Sequence, residues 1–365
     1  MDLHPVERGA GSLVAPEHPA WQALLRQCPS DSYHQPGYLH ACSQAEEGEL
    51  CIALAEAAGQ RMGVPLLLRS LPDGQVGWDA CSPYGYPSPL ASTDDPTSWR
   101  ALWEGLRGVL AEYGVIAAFF RLHPLLSTPA CLEAAVGVGR LVAHGPTVFM
   151  PLEVSEDTLW SGIRSRFRSN INALKRAGWR YQADDWSLLP VFRAIYAETM
   201  TRTGAGAFYH FPAAYFEALR DGLGEGASLH AIFDPEGRPA SAALFLRHQG
   251  IVQYHLGGTA STALAEAPAK LLFHEAALHF RAQGARVLHL GGGLGGREDS
   301  LFRFKAGFSK QSATFHSLRM IVDPGRYARL SGLAVSEAGA LPSGEGFFPA
   351  YRAPGCIAPQ QGSRP

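Results

Sequence analysis

Residues 95–120 join an amphipathic helix directly to a wholly apolar strand, and few folds can accommodate that pair. Asp95 is suited to the N-cap, and Pro96 to the first helical turn, where its missing N–H costs nothing. Trp99, Leu102, Trp103, Leu106, Leu110 and Tyr113 recur every three or four residues and form one buried face, which Gly114 ends. Val115 to Phe120 then carries no polar residue, so this strand needs apolar cover on both faces. A sheet covered by helices, an α/β class, is the expectation.

The rest of the chain fits that class. Leu50 to Leu54 and Met62 to Arg69 read as strands joined at Ala58-Gly59-Gln60, and Pro72-Asp73-Gly74 reads as a second turn. Ser82 to Pro89 holds three prolines and a glycine and must be a loop. Its tyrosines, Tyr84 and Tyr86, fit a binding surface and the packing of an ordered loop equally well. After Pro151, Ser155 with Glu156 and Asp157 starts a helix whose apolar stripe is Trp160, Ile163, Phe167, Ile171 and Leu174. Further helices are expected around Phe192–Thr199, from Pro212, and over Ala269–Ala282. Strands are expected at 229–233, 242–247, 252–256 and 287–290.

With 365 residues the chain is long enough for two domains, placed at 1–150 and 151–330. The first 30 residues are expected to be irregular, and 331–365 to be a Gly- and Pro-rich tail. Hydrophobic residues make up 46% and charged residues 18%, which excludes a disordered chain. A net charge of -2 excludes a globally basic nucleic-acid binder, though not a local basic patch. Cys28, Cys42, Cys51, Cys81, Cys131 and Cys356 form no CxxC pair and read as small apolar residues in a reducing compartment. The N-terminal residues lack a basic-then-apolar signal pattern, and no apolar run reaches the ~20 residues of a membrane span. A soluble, cytoplasmic protein is the expectation.

Several catalytic patterns can be set aside. Gly291 to Gly296 satisfies GxGxxG after a strand, but the acidic residue a dinucleotide site needs ~20 positions later is missing. No GxSxG elbow, HExxH or clustered His/Asp set occurs, so no metal and no tightly bound cofactor are expected. An internal echo remains. Tyr254-His255-Leu256-Gly257-Gly258 and Leu288-His289-Leu290-Gly291-Gly292 both end an apolar strand in His-Leu-Gly-Gly. Adjacent strands ending this way would open backbone N–H groups to a ligand. Directly after the glycines, Phe302, Phe304 and Phe308 surround Arg303 and Lys305. The chain has only four lysines (175, 270, 305 and 310) among 31 basic residues, leaving 27 arginines. A lysine there reads as a compact ammonium among apolar neighbours, suited to a developing oxyanion, or as a lysine snorkelling from an amphipathic helix.

Four stretches, in order, resemble the FemABX-type aminoacyltransferases within the GNAT acyltransferase superfamily: Trp160 to Gly178; Glu198 to Arg202 with Ala207-Phe208-Tyr209; Tyr254 to Thr259; and Leu290 to Phe308. The last, a glycine loop followed by Phe-Lys-Ala-Gly-Phe, is the most specific. Ser82 to Tyr86 and Phe120 to Pro124 extend the resemblance weakly into the first half. The resemblance implies two tandem GNAT-like domains, each a mixed, mostly antiparallel sheet covered by helices, with the strand after Phe308 returning towards the first domain. It also implies acyl transfer to an amine, typically of an aminoacyl group from aminoacyl-tRNA to a peptidoglycan precursor. Lys305 matches the functional lysine of the family. By the same carry-over Arg202, Tyr209, Tyr84, Arg303, Tyr254 and His255 are candidates for substrate binding, and Gly257, Gly258, Gly291, Gly292 and Gly293 for the donor loop.

The donor is open at this level. GNAT proteins that use CoA hold its pyrophosphate in an (R/Q)xxGxG/A loop, whereas Thr259 to Pro268 contains neither glycine nor arginine. Arg164, Arg168 and Lys175 lie on one helix flank that could meet tRNA phosphates or an anionic acceptor, or could simply be solvated. Aminoacyl-tRNA is the first reading, with a cell-wall precursor, including a lipid-linked one met at the membrane surface, or a small amine as acceptor. Acyl-CoA with a sugar or polysaccharide acceptor is the alternative, and a non-catalytic binding protein is a third.

Overall fold

The computed structural model describes residues 11–336 and 346–353. Two compact units emerge, one of Met1–Ala143 with His316–Pro365 and one of His144–Phe315. In chain order the first contains β1 (Gly11–Val14), α1 (Pro19–Gln27), α2 (Pro36–Ser43), β2 (Glu49–Ala57), β3 (Gln60–Ser70), β4 (Trp78–Cys81), β5 (Leu90–Ala91), α3 (Pro96–Glu112), β6 (Val115–Leu122) and α4 (Pro129–Val136). β7 (Arg140–Pro151) then leads into α5 (Glu156–Gly162), α6 (Ser165–Arg176), β8 (Arg180–Gln182), α7 (Leu189–Thr203) and α8 (Ala213–Leu223). β9 (Ala227–Phe233), β10 (Pro239–His248), β11 (Ile251–Thr259), α9 (Ala269–Ala282), β12 (Val287–Gly291) and α10 (Ser300–Lys305) follow. β13 (Ser312–Ile321) and α11 (Pro324–Ser331) come last.

Both units follow one plan. In the first, β1-β2-β3-β4 is an antiparallel run, α3 crosses over, and β6 lies parallel to β4. In the second, β8-β9-β10-β11 is the antiparallel run, α9 crosses over, and β12 lies parallel to β11. A sixth strand then pairs antiparallel in each. In the first unit it is residues 316–321 of β13, against β6; in the second it is residues 148–151 of β7, against β12. The chain therefore exchanges the last strand of each unit. For this reason residues 316–330, placed at the sequence level in the second domain, belong to the first unit. This is the mixed, mostly antiparallel α/β architecture that was expected, in tandem.

The cores follow the apolar patterns. Trp99, Trp103, Leu106, Leu110, Val115 and Phe120 pack in the first unit, where Asp95 accepts the Ser98 N–H as N-cap. Phe245, Phe273, Phe280 and Phe308 pack in the second with Ile171 and Leu174. Three expectations need correction. Residues 11–30 are not irregular, because Val14, Trp21, Leu24 and Leu25 bury their side chains. The predicted helix after Ser155 is two helices, since Ile163 and Arg164 adopt extended ψ angles of 137°. The tail is partly structured: in 346–353, Phe348 stacks on Tyr327, and Tyr351 meets Tyr327 edge-on. Residues 337–345 and 354–365 of the tail, Cys356 among them, lie outside the described residues. Cys28, Cys42, Cys51 and Cys131 are buried and free, and Cys81 is half-buried and free.

Buried histidines make stability depend on pH. Burial pushes His34 down to about 4, against opposing attraction from Asp31. His274 is pushed down to about 4 by burial and then by Lys175. Both fold as neutral rings, so below pH ~6.5 the unfolded chain binds more protons than the native one. Stability is expected to fall on acidification from pH 6.5 towards 4, by about 1.4 kcal/mol per pH unit for each ring at most. Denaturant melts between pH 5 and 7 check this, and a flat profile would contradict it.

Candidate active site

β11 and β12 run parallel only as far as Gln253↔His289 and then part. β11 continues to Thr259 beside β10, with a bulge at His255, and β12 continues to Gly291 beside β7. Two edges of one sheet thus separate at the His-Leu-Gly-Gly repeats. Lys305, the last residue of α10, bridges the parting strands. Its Nζ donates to the Gly292 carbonyl at 2.8 Å and lies 5.6 Å from the Tyr254 ring centroid. Gly292 follows β12 directly, and Tyr254 belongs to β11.

The glycine run exists to make this possible. A Cβ on Gly293 would stand 2.1 Å from the Arg297 carbonyl and 2.4 Å from Asp299 Oδ1. The loop therefore folds tightly on itself, and Asp299 accepts the N–H groups of Leu294 and Phe302, capping α10. That is a structural reason for a GxGxxG pattern with no dinucleotide. Around the ammonium, Phe273 lies 4.7 Å from Tyr254, and Phe304 and Phe308 pack on Phe167 and Phe273. Lys305 is only 7% exposed. Burial pushes its ammonium down to about 8, although Asp299 opposes the shift. It remains a cation at neutral pH and becomes neutral just above.

The break between α5 and α6 supports this turn: the Arg164 N–H donates to the Gly307 carbonyl at 2.9 Å. Gly307 packs against Phe167, and a Cβ there would come within 2.1 Å of that ring. Gly307→Ala is expected to cost about 1–3 kcal/mol by overpacking and to displace Lys305. Thermal unfolding together with transfer assays would test it; an unchanged melting temperature would refute the packing argument.

The other expected residues are distributed as follows. His255 bonds Tyr215 of α8 at 2.6 Å, while Tyr254 faces α9, so His255 is not brought together with Lys305. The glycines after it admit protein groups instead of opening backbone. A Cβ on Gly257 would meet the Tyr254 hydroxyl at 2.7 Å, and one on Gly258 would meet Thr199 Oγ1 at 2.6 Å. Gly291 has a φ of +75°, a turn that favours glycine. Arg202 pins the end of β11 to α7 through the Thr259 carbonyl and the Ser261 hydroxyl. Tyr209 accepts the Tyr196 hydroxyl on its backbone carbonyl. Arg303 is exposed beside Lys305, and its carbonyl accepts from Arg164. Tyr84 lies in the first unit, where its backbone bonds Glu46 and Tyr38.

The basic flank does not persist as one surface. Arg164 caps α6, Arg168 lies within its first turns, and Lys175 at the far end is paired with Glu275. Sequence reasoning missed Lys270, which stands 4.9 Å over the Phe167 ring, and Glu198, which accepts the Ser261 N–H at 3.0 Å. No local pattern marks Lys270, and Glu198 enters the sequence reading only as the start of the Glu198 to Arg202 stretch; the packing of α6, α7 and α9 gives each its partner.

Residues 161–305 match the family described as acetyltransferase (GNAT) domain, a span that ends at Lys305. Over that segment the chain is similar to acetyltransferase (GNAT) domains. Among solved structures the chain is similar to FemX, with a TM-score of 0.66 at 14% identity, covering 89% of this chain and 99% of that one. It is also similar to L-PGS from Bacillus licheniformis, with a TM-score of 0.52 at 12% identity, covering 84% and 92%. The likeness to FemX establishes a FemAB-like GNAT fold. No curated protein sequence matches the chain significantly. Among the described residues no helix is long and apolar enough to cross a membrane.

Proposed function

We propose that this chain, an acyltransferase of the GNAT type, transfers an aminoacyl group from aminoacyl-tRNA to an amine, with Lys305 as the oxyanion donor. The observation that carries the reading is the buried ammonium of Lys305, held on the Gly292 carbonyl where β11 and β12 part. An ester carbonyl placed there would develop negative charge on attack by the amine. Lys305 has three N–H groups, and Gly292 takes one of them. An ammonium fixed in an apolar surround needs little reorganisation to meet that charge. Holding amine and carbonyl together supplies much of the remaining acceleration.

The loop after β11 supports this choice of donor. Thr259 to Pro268 lacks glycine and arginine, and the Ser261 N–H is already taken by the Glu198 carboxylate. A carboxylate from α7 seated on a loop that would have to hold a pyrophosphate works against CoA. Arg164 and Arg303, exposed where α6 meets the α10 turn, instead suit the phosphates of a nucleic acid end. A FemX-like fold agrees with a cell-wall precursor as acceptor, and one bound to lipid could be met at the membrane surface.

Calorimetry with charged tRNA and, separately, acetyl-CoA tests the donor. Binding of charged tRNA alone, followed by transfer to an amine, is the expected result. Tight CoA binding would overturn the donor assignment and favour acyl-CoA with a sugar or polysaccharide acceptor. Binding of neither, with no transfer, would favour a protein that only binds.

A further inference from the structure

The structure assigns a transition-metal site to Asp184, His230 and His279, on a part of the second unit that the proposed acyl transfer does not use. These residues come from the loop after β8, from β9 and from the last turns of α9, and their ligand atoms all lie within 4.8 Å of one another. No spacing in the sequence announces them, which is why no metal was expected from the motifs.

The donor set is that of a borderline cation such as Zn²⁺: two imidazoles and one carboxylate. Asp184 Oδ2 and His279 Nε2 stand 3.2 Å apart. Two ligands ~2.1 Å from a tetrahedral ion stand about 3.4 Å from each other. The surrounding groups are those that orient metal ligands. The Tyr181 hydroxyl engages His230 Nδ1 at 2.6 Å, leaving Nε2 facing the cluster. The Ser228 hydroxyl lies between His230 Nε2 and Asp184 Oδ1 and can steady the carboxylate. Asp184 holds a φ of +55°, a left-handed conformation that few non-glycine residues adopt, and it does so while aiming its carboxylate at the two rings. His230 is buried, His279 is 23% exposed and Asp184 54% exposed, so an ion can enter from one side and keep a water.

Protons alone could close much of this network, running from Tyr181 through His230 and Ser228 to Asp184. They do not close it at His279. Arg247 donates to Gln283 Oε1, which turns the Gln283 amide N–H groups towards His279 Nε2, 2.9 Å away. That nitrogen then has no proton to give Asp184, and its single lone pair rests on the Gln283 N–H. Gln283 is exposed, and when it swings out to solvent the lone pair is freed for a cation between His279 and Asp184. Bound there, the ion would tie α9 to β9 and to the β8 loop. α9 also carries Phe273 against Tyr254, so the brace reaches the scaffold of the Lys305 site.

The test uses full-length, tag-free protein stripped with a chelator and titrated with Zn²⁺ by calorimetry and with Co²⁺ by visible absorption. We expect one equivalent to bind with a Kd below about 10 μM, and Co²⁺ to give the intense visible bands of a four-coordinate site. His279→Ala and the near-isosteric Asp184→Asn should each weaken binding by at least about 100-fold, with circular dichroism showing that both are folded. The assignment is overturned if the wild-type protein binds no stoichiometric ion. It is equally overturned if folded Asp184→Asn and His279→Ala bind as tightly as wild type, which would place the ion at other histidines or at the thiols.

Discussion

Lys305→Met is expected to lower acyl transfer by about 10²–10³-fold, the usual cost of removing one oxyanion donor, while leaving the protein as stable as before or more so. The two effects have opposite signs for one physical reason. Burial pushes the Lys305 ammonium down to about 8, so the fold disfavours its charged form. The destabilising contribution is fully present below pH 8 and disappears as pH rises through the unfolded value of ~10.4. Methionine fills similar volume without charge and forfeits one hydrogen bond to Gly292, worth about 1–3 kcal/mol. The burial cost it relieves is of the same order, so stability should hold within about 1 kcal/mol. A variant that unfolds would show that Lys305 is structural. The pH profile separates its chemical roles. As an oxyanion donor it must be protonated, so the ratio of wild-type to Lys305→Arg rates should fall above pH 8. The arginine stays charged, and the ratio cancels the acceptor's own titration. A general base would make that ratio rise.

The second large effect belongs to the first unit. His123→Ala is expected to destabilise it by about 3–5 kcal/mol, because it strands a buried carboxylate. Asp31 and His123 are both fully buried, and His123 Nε2 donates to Asp31 Oδ2 at 2.9 Å. The His123 Nδ1 accepts the N–H groups of Leu125 and Leu126, which fixes that tautomer. Burial alone would raise the Asp31 carboxyl, but His123, His34 and the Tyr33 N–H outweigh it and hold it down to about 2. A loss of this size consumes much of an ordinary domain's stability of ~5–15 kcal/mol. Urea melts should show the first unit unfolding early in the variant. A shift below about 1 kcal/mol would mean that the pair is replaceable.

Much of the fold was legible because local signals were strong. Asp95-Pro96 and the Trp99–Tyr113 stripe mark α3, and the apolar run after Gly114 marks β6. Exchange of the sixth strands was half legible: the resemblance implies that the strand after Phe308 returns to the first domain, as 316–321 does, whereas 148–151 reads the same whichever sheet it joins. The α5/α6 break was hidden because Ile163 continues the apolar stripe of the next helix while bending the chain. Of the candidate site, Lys305 and Gly292 could be found from the glycine run and the Phe-Lys-Ala-Gly-Phe block. The part played by the other glycines could not. Gly257, Gly258 and Gly293 look like openings for a ligand, yet they make room for Tyr254, Thr199 and Asp299. Asp184, His230 and His279 converge only through the tertiary fold, from positions far apart in sequence.

The most direct test is a steady-state comparison of wild type with Lys305→Met, using the donor that calorimetry identifies and an amine acceptor. The account predicts that kcat falls by about 10²–10³-fold while the KM values of both substrates stay within a few-fold. An unchanged kcat, with the loss confined to KM, would contradict it and reduce Lys305 to a binding residue.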